Sequence, residues 1–314
     1  MYSFGELRPD ERRAGLHLLL GGIDDPDRNE TIEAGLETML AAPHDHLLIG
    51  ARSGERLSAV VWGTRSGDDS LLVGDPGLAS GLVDADEAVA GIAKCLADAA
   101  DRLGLVLVQV MLGPQRIDLA PCFLSAGWER ATRLEYLAAR IGPENEPIDR
   151  REVDSASDWR WVDADSLAPG ALERLVAATH EDSQDCPFLE GRRSPAELLA
   201  TYARSSESGT ALWRVLLDDD EPVGCVLAGL QGGGTQIEWI YFGVARNRRG
   251  MGLGDRLAEH GFAQARSIGV GMIVLGLDES NEPARRLYAR WGFRVWDRRL
   301  VLLRWRERPS SPLL

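Results

Sequence analysis

The sequence is poor in three things, and each shortage narrows what it can do. Its four cysteines, Cys95, Cys122, Cys186 and Cys225, stand far apart with no C-x-x-C pair, which argues against a disulfide framework or a cysteine zinc site and fits reduced thiols. Positive charge is short as well. The 35 basic and 49 acidic residues give a net charge of −14, which opposes a broad grip on a phosphate backbone, so no nucleic-acid partner is expected. No apolar run approaches the roughly 18 to 20 residues of a membrane span. Met1 to Asp10 has neither the basic nor the apolar region of a targeting signal, so a cytoplasmic protein without a membrane partner is expected. His44 and His46 flank Asp45 just ahead of a strand, where such residues read as solvated turn positions, and no metal is assigned.

What is present suggests two domains, since 314 residues exceed the usual size of one. The composition breaks across Ile141 to Arg151, where Gly142, Pro143, Glu144, Asn145, Glu146 and Pro147 separate two hydrophobic stretches. The expected organisation is a first domain over 1–142, a linker over 143–151, a second domain over 152–308 and a tail over 309–314.

In the second domain, helices are expected at Pro169 to His180 and from Ser194-Pro195, with serine as N-cap and proline in the first turn. A three-stranded meander should follow, over Ala211 to Leu217, Val223 to Leu230 and Thr235 to Val244. A helix over Leu253 to Ser267, an apolar strand over Val270 to Leu277, a helix over Asn281 to Trp291 and two closing strands across Phe293 to Trp305 complete the order ααβββαβαββ. The first half repeats this order in outline. Ser125-Ala126-Gly127-Trp128 set beside Ala289-Arg290-Trp291-Gly292-Phe293 suggests a duplication with a period of about 165 residues.

The local signal with most chemical content is Arg249-Gly250-Met251-Gly252-Leu253-Gly254, between a strand and an amphipathic helix. Glycines there let the backbone approach a diphosphate, and the free N–H groups and positive end of the helix dipole face the anion. The spacing is not that of a dinucleotide fingerprint, and no Gly-Lys-Ser/Thr follows to make a P-loop.

These residues resemble the R/Q-x-x-G-x-G/A acetyl-CoA motif of the GNAT superfamily of N-acyltransferases. Asn281, Ala284, Leu287, Tyr288, Gly292 and Phe293 resemble its second signature, N-x-x-A-x-x-L-Y-x-x-x-G-F, one helix and one strand further on. The resemblance runs over about Val153 to Trp305. It implies an α/β (α+β) fold of two GNAT-like domains, each a mixed, mostly antiparallel twisted sheet flanked by helices.

It also implies direct attack of an amine on the thioester of acetyl-CoA in a ternary complex. Phe242, Val244, Arg249 to Gly254, Asn281 and Tyr288 would contact the cofactor, and Tyr288 would protonate the departing thiolate. Glu238, eleven residues before Arg249, stands at the offset where histone-type relatives carry a general base. The strand is read as placing Glu238, Ile240, Phe242 and Val244 on one face, with Gly243 as a bulge.

The first half departs from the pattern. Gly74 to Gly81 has no arginine–glycine cradle and sets Asp75 where a phosphate would go, so this domain is read as degenerate and non-catalytic. On the acceptor side, the loop His180 to Pro187 carries Glu181, Asp182 and Asp185, which would draw a small cationic amine. The alternative reading is a catalytically idle acetyl-CoA sensor or interaction module. Acceptor identity, acyl length and oligomeric state are left open.

Overall fold

The computed structural model describes residues 1–21, 27–142, 159–189 and 191–306. The expected linker, 143–151, and tail, 309–314, lie outside them. Contacts divide the chain into one unit of Met1–Thr132 with Arg299–Leu314 and a second of Arg133–Arg298.

The first unit runs β1 (Tyr2–Glu6), α1 (Arg12–Leu19), α2 (Arg28–Ala41), β2 (His46–Ser53), β3 (Arg56–Arg65), β4 (Ser70–Val73), β5 (Gly77–Leu78), α3 (Ala85–Arg102), β6 (Leu107–Leu112) and α4 (Ala120–Ser125). Then comes β7 (Glu129–Arg140), which from Arg133 onward belongs to the second unit. That unit continues with β8 (Trp159–Asp163), α5 (Ala171–His180), α6 (Pro195–Arg204), β9 (Leu212–Asp218), β10 (Glu221–Gln231), β11 (Gln236–Val244), α7 (Leu253–Ile268), β12 (Met272–Asp278) and α8 (Glu282–Arg290). The last strand, β13 (Arg294–Trp305), returns to the first unit from Arg299.

The division therefore differs from a cut between 142 and 152, because each sheet is closed by a strand segment encoded in the other half of the sequence. In the first unit, Leu300 to Trp305 of β13 pair antiparallel with β6. In the second, Leu134 to Arg140 of β7 pair antiparallel with β12. A single strand covers Arg294–Trp305 where two were expected. Two short edge strands, β1 and β8, were not foreseen, since five residues beside a sheet edge carry little alternation to read.

Both sheets have helices on both faces, which explains their near-continuous apolar strands. In β10, Val226 and Ala228 enter the core under α7 and α8, while Cys225 and Leu227 enter the core under α5 and α6. In β2, Ile49 and Ala51 face α3, and Leu48 faces α1 and α2.

The backbone repeats the expected period. Positive φ occurs at Gly54 and Asp219, at Gly104 and Gly269, and at Gly127 and Gly292, each pair 165 residues apart (219 − 54, 269 − 104, 292 − 127). No helix among the described residues is long and apolar enough to cross a membrane.

Candidate active site

A cleft opens in the second unit because two parallel strands part. β11 and β12 pair only at Ile237 with Ile273 and Glu238 with Val274, after which β11 runs on to Val244 and β12 to Asp278. From Trp239 onward β11 therefore has no β12 partner. The space between, about 370 Å³, is lined by Trp239 to Val244, by Gly276 and Leu277, by the loop before α7, by α8 and by the end of α5.

A bulge reshapes this wall. β10 pairs Leu227 with Tyr241 and Ala228 with Trp239, so Ile240 is the extra residue, not Gly243. The extra residue reverses the alternation, which corrects the expectation that Glu238, Ile240, Phe242 and Val244 share a face. Phe242 and Val244 instead join Ile237 and Trp239 against the α7–α8 core, whereas Tyr241 packs in the α5–α6 core. Gly243 has its own reason to be glycine: a Cβ there would lie 2.9 Å from Thr179 Cβ.

At one end of the cleft is the glycine-rich loop. Gly250 and Gly252 have φ of +80° and +81°, which glycine adopts without strain, and Gly252 caps α7. Gly254 lets α7 approach Leu287, whose Cδ2 would lie 3.0 Å from a Cβ at that position. None of the described backbone hydrogen bonds is donated by residues 250 to 254, which sit at the N-terminus of α7, an arrangement suited to an anion. Arg248, Arg249, Gly250, Gly252, Leu253 and Gly254 line the cleft, while Met251 is exposed outside the lining.

The Arg249 guanidinium does something the motif did not indicate. It donates to the carbonyls of Thr179 at 2.8 Å, Asp182 at 3.1 Å and Val244 at 3.4 Å, tying the end of α5 to the loop. Asp255, buried in the first turn of α7, accepts from Arg290 at 2.8 and 3.0 Å and from Trp291 Nε1 at 2.9 Å, which fixes α7 against α8.

On α8, Asn281 Oδ1 accepts from the Ala284 N–H at 3.2 Å and so caps the helix, with Pro283 in the first turn. Tyr288 lines the cleft and is buried against Phe242, Phe293 and Trp239, with ring centroids 5.7, 5.4 and 6.3 Å away. Burial, helped by the Asp185 charge, pushes its phenol well above the ordinary tyrosine value, so it stays a proton donor across the neutral range.

Glu238 is the last β11 residue paired with β12, so it stands at the vertex where the strands part. It is half-buried and adjoins the lining residues Trp239 and Ile240 without being one of them. Its carboxyl accepts from Gln231 Nε2 at 2.8 Å, and burial raises it above the usual glutamate range against the opposing pull of that hydrogen bond.

The acidic loop after α5 is largely committed to internal partners. Asp182 pairs with Arg246 at 2.6 Å. Asp185 Oδ1 accepts from the buried Asp278 N–H at 3.0 Å, and Asp278 Oδ2 accepts from the Cys186 N–H at 3.2 Å. Asp182 and Cys186 hold positive φ, 50° and 48°. The residues that sequence reasoning missed are Thr179 and Tyr241: Thr179 Oγ1 and Tyr241 OH lie 2.7 Å apart, and Tyr241 stacks with His180 and Tyr202 at 5.3 and 5.5 Å. Only the bulge makes Tyr241 a member of that wall, and no spacing rule indicates it. Among the described residues no group of three or more His, Cys, Asp or Glu could hold a metal ion, and His46 Nδ1 accepts from Trp62.

Residues 176–293 match the model of the Acetyltransferase (GNAT) family. This segment is a GNAT domain. Solved structures extend the likeness in fold to both halves. A GCN5-related N-acetyltransferase from Sphaerobacter thermophilus is 17% identical over 97% of this chain and 95% of its own, with a TM-score of 0.60. A tandem GNAT protein from the clavulanic acid biosynthesis pathway is 16% identical over 99% of this chain and 100% of its own, with a TM-score of 0.52. A glucosamine N-acetyltransferase region of a fungal multi-domain β-N-acetylglucosaminidase is 15% identical over 96% of this chain and 38% of that one, with a TM-score of 0.59. No curated protein matches. The GNAT domain thus carries the cleft, and acyl transfer is the chemistry its family performs.

Proposed function

We propose that the chain is an acyl-CoA-dependent N-acetyltransferase that moves an acetyl group from acetyl-CoA to the primary amine of a small cationic acceptor in a ternary complex. One arrangement carries this reading: a single cleft joins the free N–H groups of Gly250 to Gly254 at one end to the buried phenol of Tyr288, with Glu238 at the strand vertex. The diphosphate would sit on those N–H groups at the α7 N-terminus. The pantetheine arm would lie along the unpartnered edge of β11 at Phe242 to Val244, beside Asn281.

The amine nitrogen attacks the thioester carbonyl, the C–S bond breaks, and Tyr288 gives its proton to the departing thiolate. Glu238, directly or through one water, takes the proton that the amine loses. The acids of the loop after α5, Glu181, Asp182 and Asp185, favour a cationic acceptor, and a cytoplasmic location fits the same reading. The first unit plays no catalytic part.

Replacing Tyr288 with phenylalanine tests the reading, because it removes the proton and little else. Steady-state turnover should fall by roughly ten- to a thousandfold when protonation of the thiolate limits the rate, with acetyl-CoA affinity by calorimetry unchanged. Full turnover in Tyr288→Phe would return Tyr288 to core packing. An absence of turnover in the unmodified protein across cationic amines would favour the idle sensor.

A further inference from the structure

The register of the second unit shows where the acceptor side of the vertex opens. On β12, Leu275 and Leu277 enter the core under α7 and α8, so Gly276 between them faces the other side of the sheet. On β7, Leu137 and Ala139 enter the same core, which turns Tyr136 to the opposite side beside Gly276, its register partner. On β11, Ile237 and Trp239 enter it as well, and Glu238 between them faces as Gly276 and Tyr136 do. Three neighbouring strands thus bring Glu238, Gly276 and Tyr136 to one face.

The middle position is open. Gly276 is exposed and lines the cleft, and a Cβ added there would meet only Tyr136 Cε1, at 3.9 Å. Beyond it, Trp296 is 64% exposed and lies 6.0 Å from Tyr136 between ring centroids, tilted by 53°. An exposed tryptophan next to a half-buried tyrosine, beside an exposed glycine of the cleft lining, forms an aromatic platform.

We propose that Tyr136, extended by Trp296, is the acceptor platform, and that the acceptor is a small primary amine whose ring lies flat on Tyr136 while its nitrogen reaches the vertex at Glu238. This rests on the transferase reading above and deepens it. Glu238 is level with Val274 and Ala138, two residues from the Gly276–Tyr136 pair, so strands about 4.8 Å apart with a rise of about 3.3 Å per residue place the Glu238 and Tyr136 backbones roughly 12 Å from each other, which a six-membered ring with a short aminoalkyl arm, met by the two side chains, spans. Gly276 leaves the floor between them clear. A linear polyamine has the charge to approach Glu238 but no face to lay on the ring. Tyr136 is a specificity residue encoded in the N-terminal half, and β7 carries it into the sheet that holds the cleft.

The test is calorimetric titration of the protein saturated with CoA, using 2-phenylethylamine, 6-amino-6-deoxyglucose and putrescine. At least one ring-bearing amine should bind more tightly than putrescine, and whichever binds shows whether the ring is aromatic or a sugar. Tyr136→Ala should weaken that binding by roughly tenfold or more, Tyr136→Phe should preserve it, and the exposed Trp296→Ala should weaken it severalfold. Acetyl-CoA affinity should stay the same in all three, which shows that the fold is intact. Equal affinity of a ring-bearing amine for the unmodified and Tyr136→Ala proteins overturns the platform, as does tighter binding of putrescine or no binding of either ring-bearing amine. Binding and turnover separate the two readings. Ring amines that bind through Tyr136 but are never acetylated would sink the transferase reading and leave the platform. Ring amines acetylated equally well by Tyr136→Ala would do the reverse.

Discussion

The two units part their central parallel strands at the same place and use the opening differently. In the first, β4 and β6 pair until Val73 meets Val110. In the second, β11 and β12 pair until Glu238 meets Val274. The vertex residue is thus a buried valine in one and a carboxyl in the other, 165 positions apart (238 − 73). Two residues further on stand Asp75 and Ile240. Asp75 reaches across the opening to accept from the Gly113 N–H at 2.8 Å and from Arg299 at 2.9 Å. The matching N–H in the second unit, that of Asp278 (278 − 113 = 165), is also bonded by a carboxylate, but the acid is Asp185 on the loop after α5. One unit satisfies the end of its central strand from inside the opening, the other from its rim. The parting of the strands is therefore common to both units, and what differs is the element that supplies that one acceptor.

Asp75 also corrects the expectation that it stands at a phosphate position. It lies in the break between β4 and β5, several residues before α3 begins at Ala85. In the first unit the helix start carries Asp84 at the cap and Asp86 and Glu87 in the first turn, which disfavours an anion there for a separate reason.

The comparison breaks most sharply at the vertex. Glu238→Gln should lower kcat/KM by about two to four decades if Glu238 is the base, with acetyl-CoA affinity unchanged, because glutamine keeps the shape and one acceptor. Only the ionised carboxyl accepts a proton, so kcat/KM should rise with pH through an ionisation placed above the ordinary glutamate range by burial, and the variant should lack that limb. A variant with full rate and the same pH limb would make the vertex carboxyl no more catalytic than Val73.

A smaller effect is expected at the plug. Asp75→Ala leaves the Gly113 N–H and the Arg299 guanidinium without this partner, and should cost about 1–3 kcal/mol in denaturant unfolding. Clearing the opening should still not create a second site, since the glycine-rich loop has no counterpart there. Calorimetry should give one acetyl-CoA per chain before and after the substitution. A stoichiometry of two in the unmodified protein would refute the degenerate reading.

The smallest effect is expected at the rim. Burial, with the nearby Asp278 charge, raises the Asp185 carboxyl above its ordinary value, while hydrogen bonds from Asp278 and Asn281 oppose the shift. A carboxyl raised in the folded state stabilises the fold below its unfolded value, near pH 4, and loses that contribution as pH rises through the folded value. Asp185→Asn keeps an acceptor for the Asp278 N–H and removes the buried charge. Its Tm should exceed that of the unmodified protein at neutral pH, with the gap closing as the solution is acidified. An equal Tm at every pH would show that the carboxyl is not strained by its burial.

Much of this was legible in order. Ser194 accepts from the Glu197 N–H and Pro195 opens α6, as the sequence implied, because capping depends on residues within one turn of each other. Gly250, Gly252 and Gly254 between a strand and a helix indicated the loop for the same local reason, and Asn281 to Phe293 indicated α8 with Tyr288 on its buried face. Local periodicity could not indicate the bulge at Ile240, which depends on a register shift against β10 and decides which side of the sheet Phe242 and Tyr241 serve. Nor could it indicate that Arg249 binds three carbonyls, two of them about 70 positions earlier in the chain.

The sequence by itself determined most of the elements, the repeat and the glycine-rich loop between a strand and a helix, since each follows from neighbours a few residues apart or from a repeat at constant spacing. Tertiary structure alone decided the closing strands. β7 and β13 are twelve-residue strands with apolar C-terminal halves, and their residues do not state a partner. Long-range pairing gave β7 to β12, and with it Tyr136 to Gly276, and gave β13 to β6, and with it Arg299 to Asp75. Strand partners are chosen by the packing of whole sheets, and no local pattern encodes that choice.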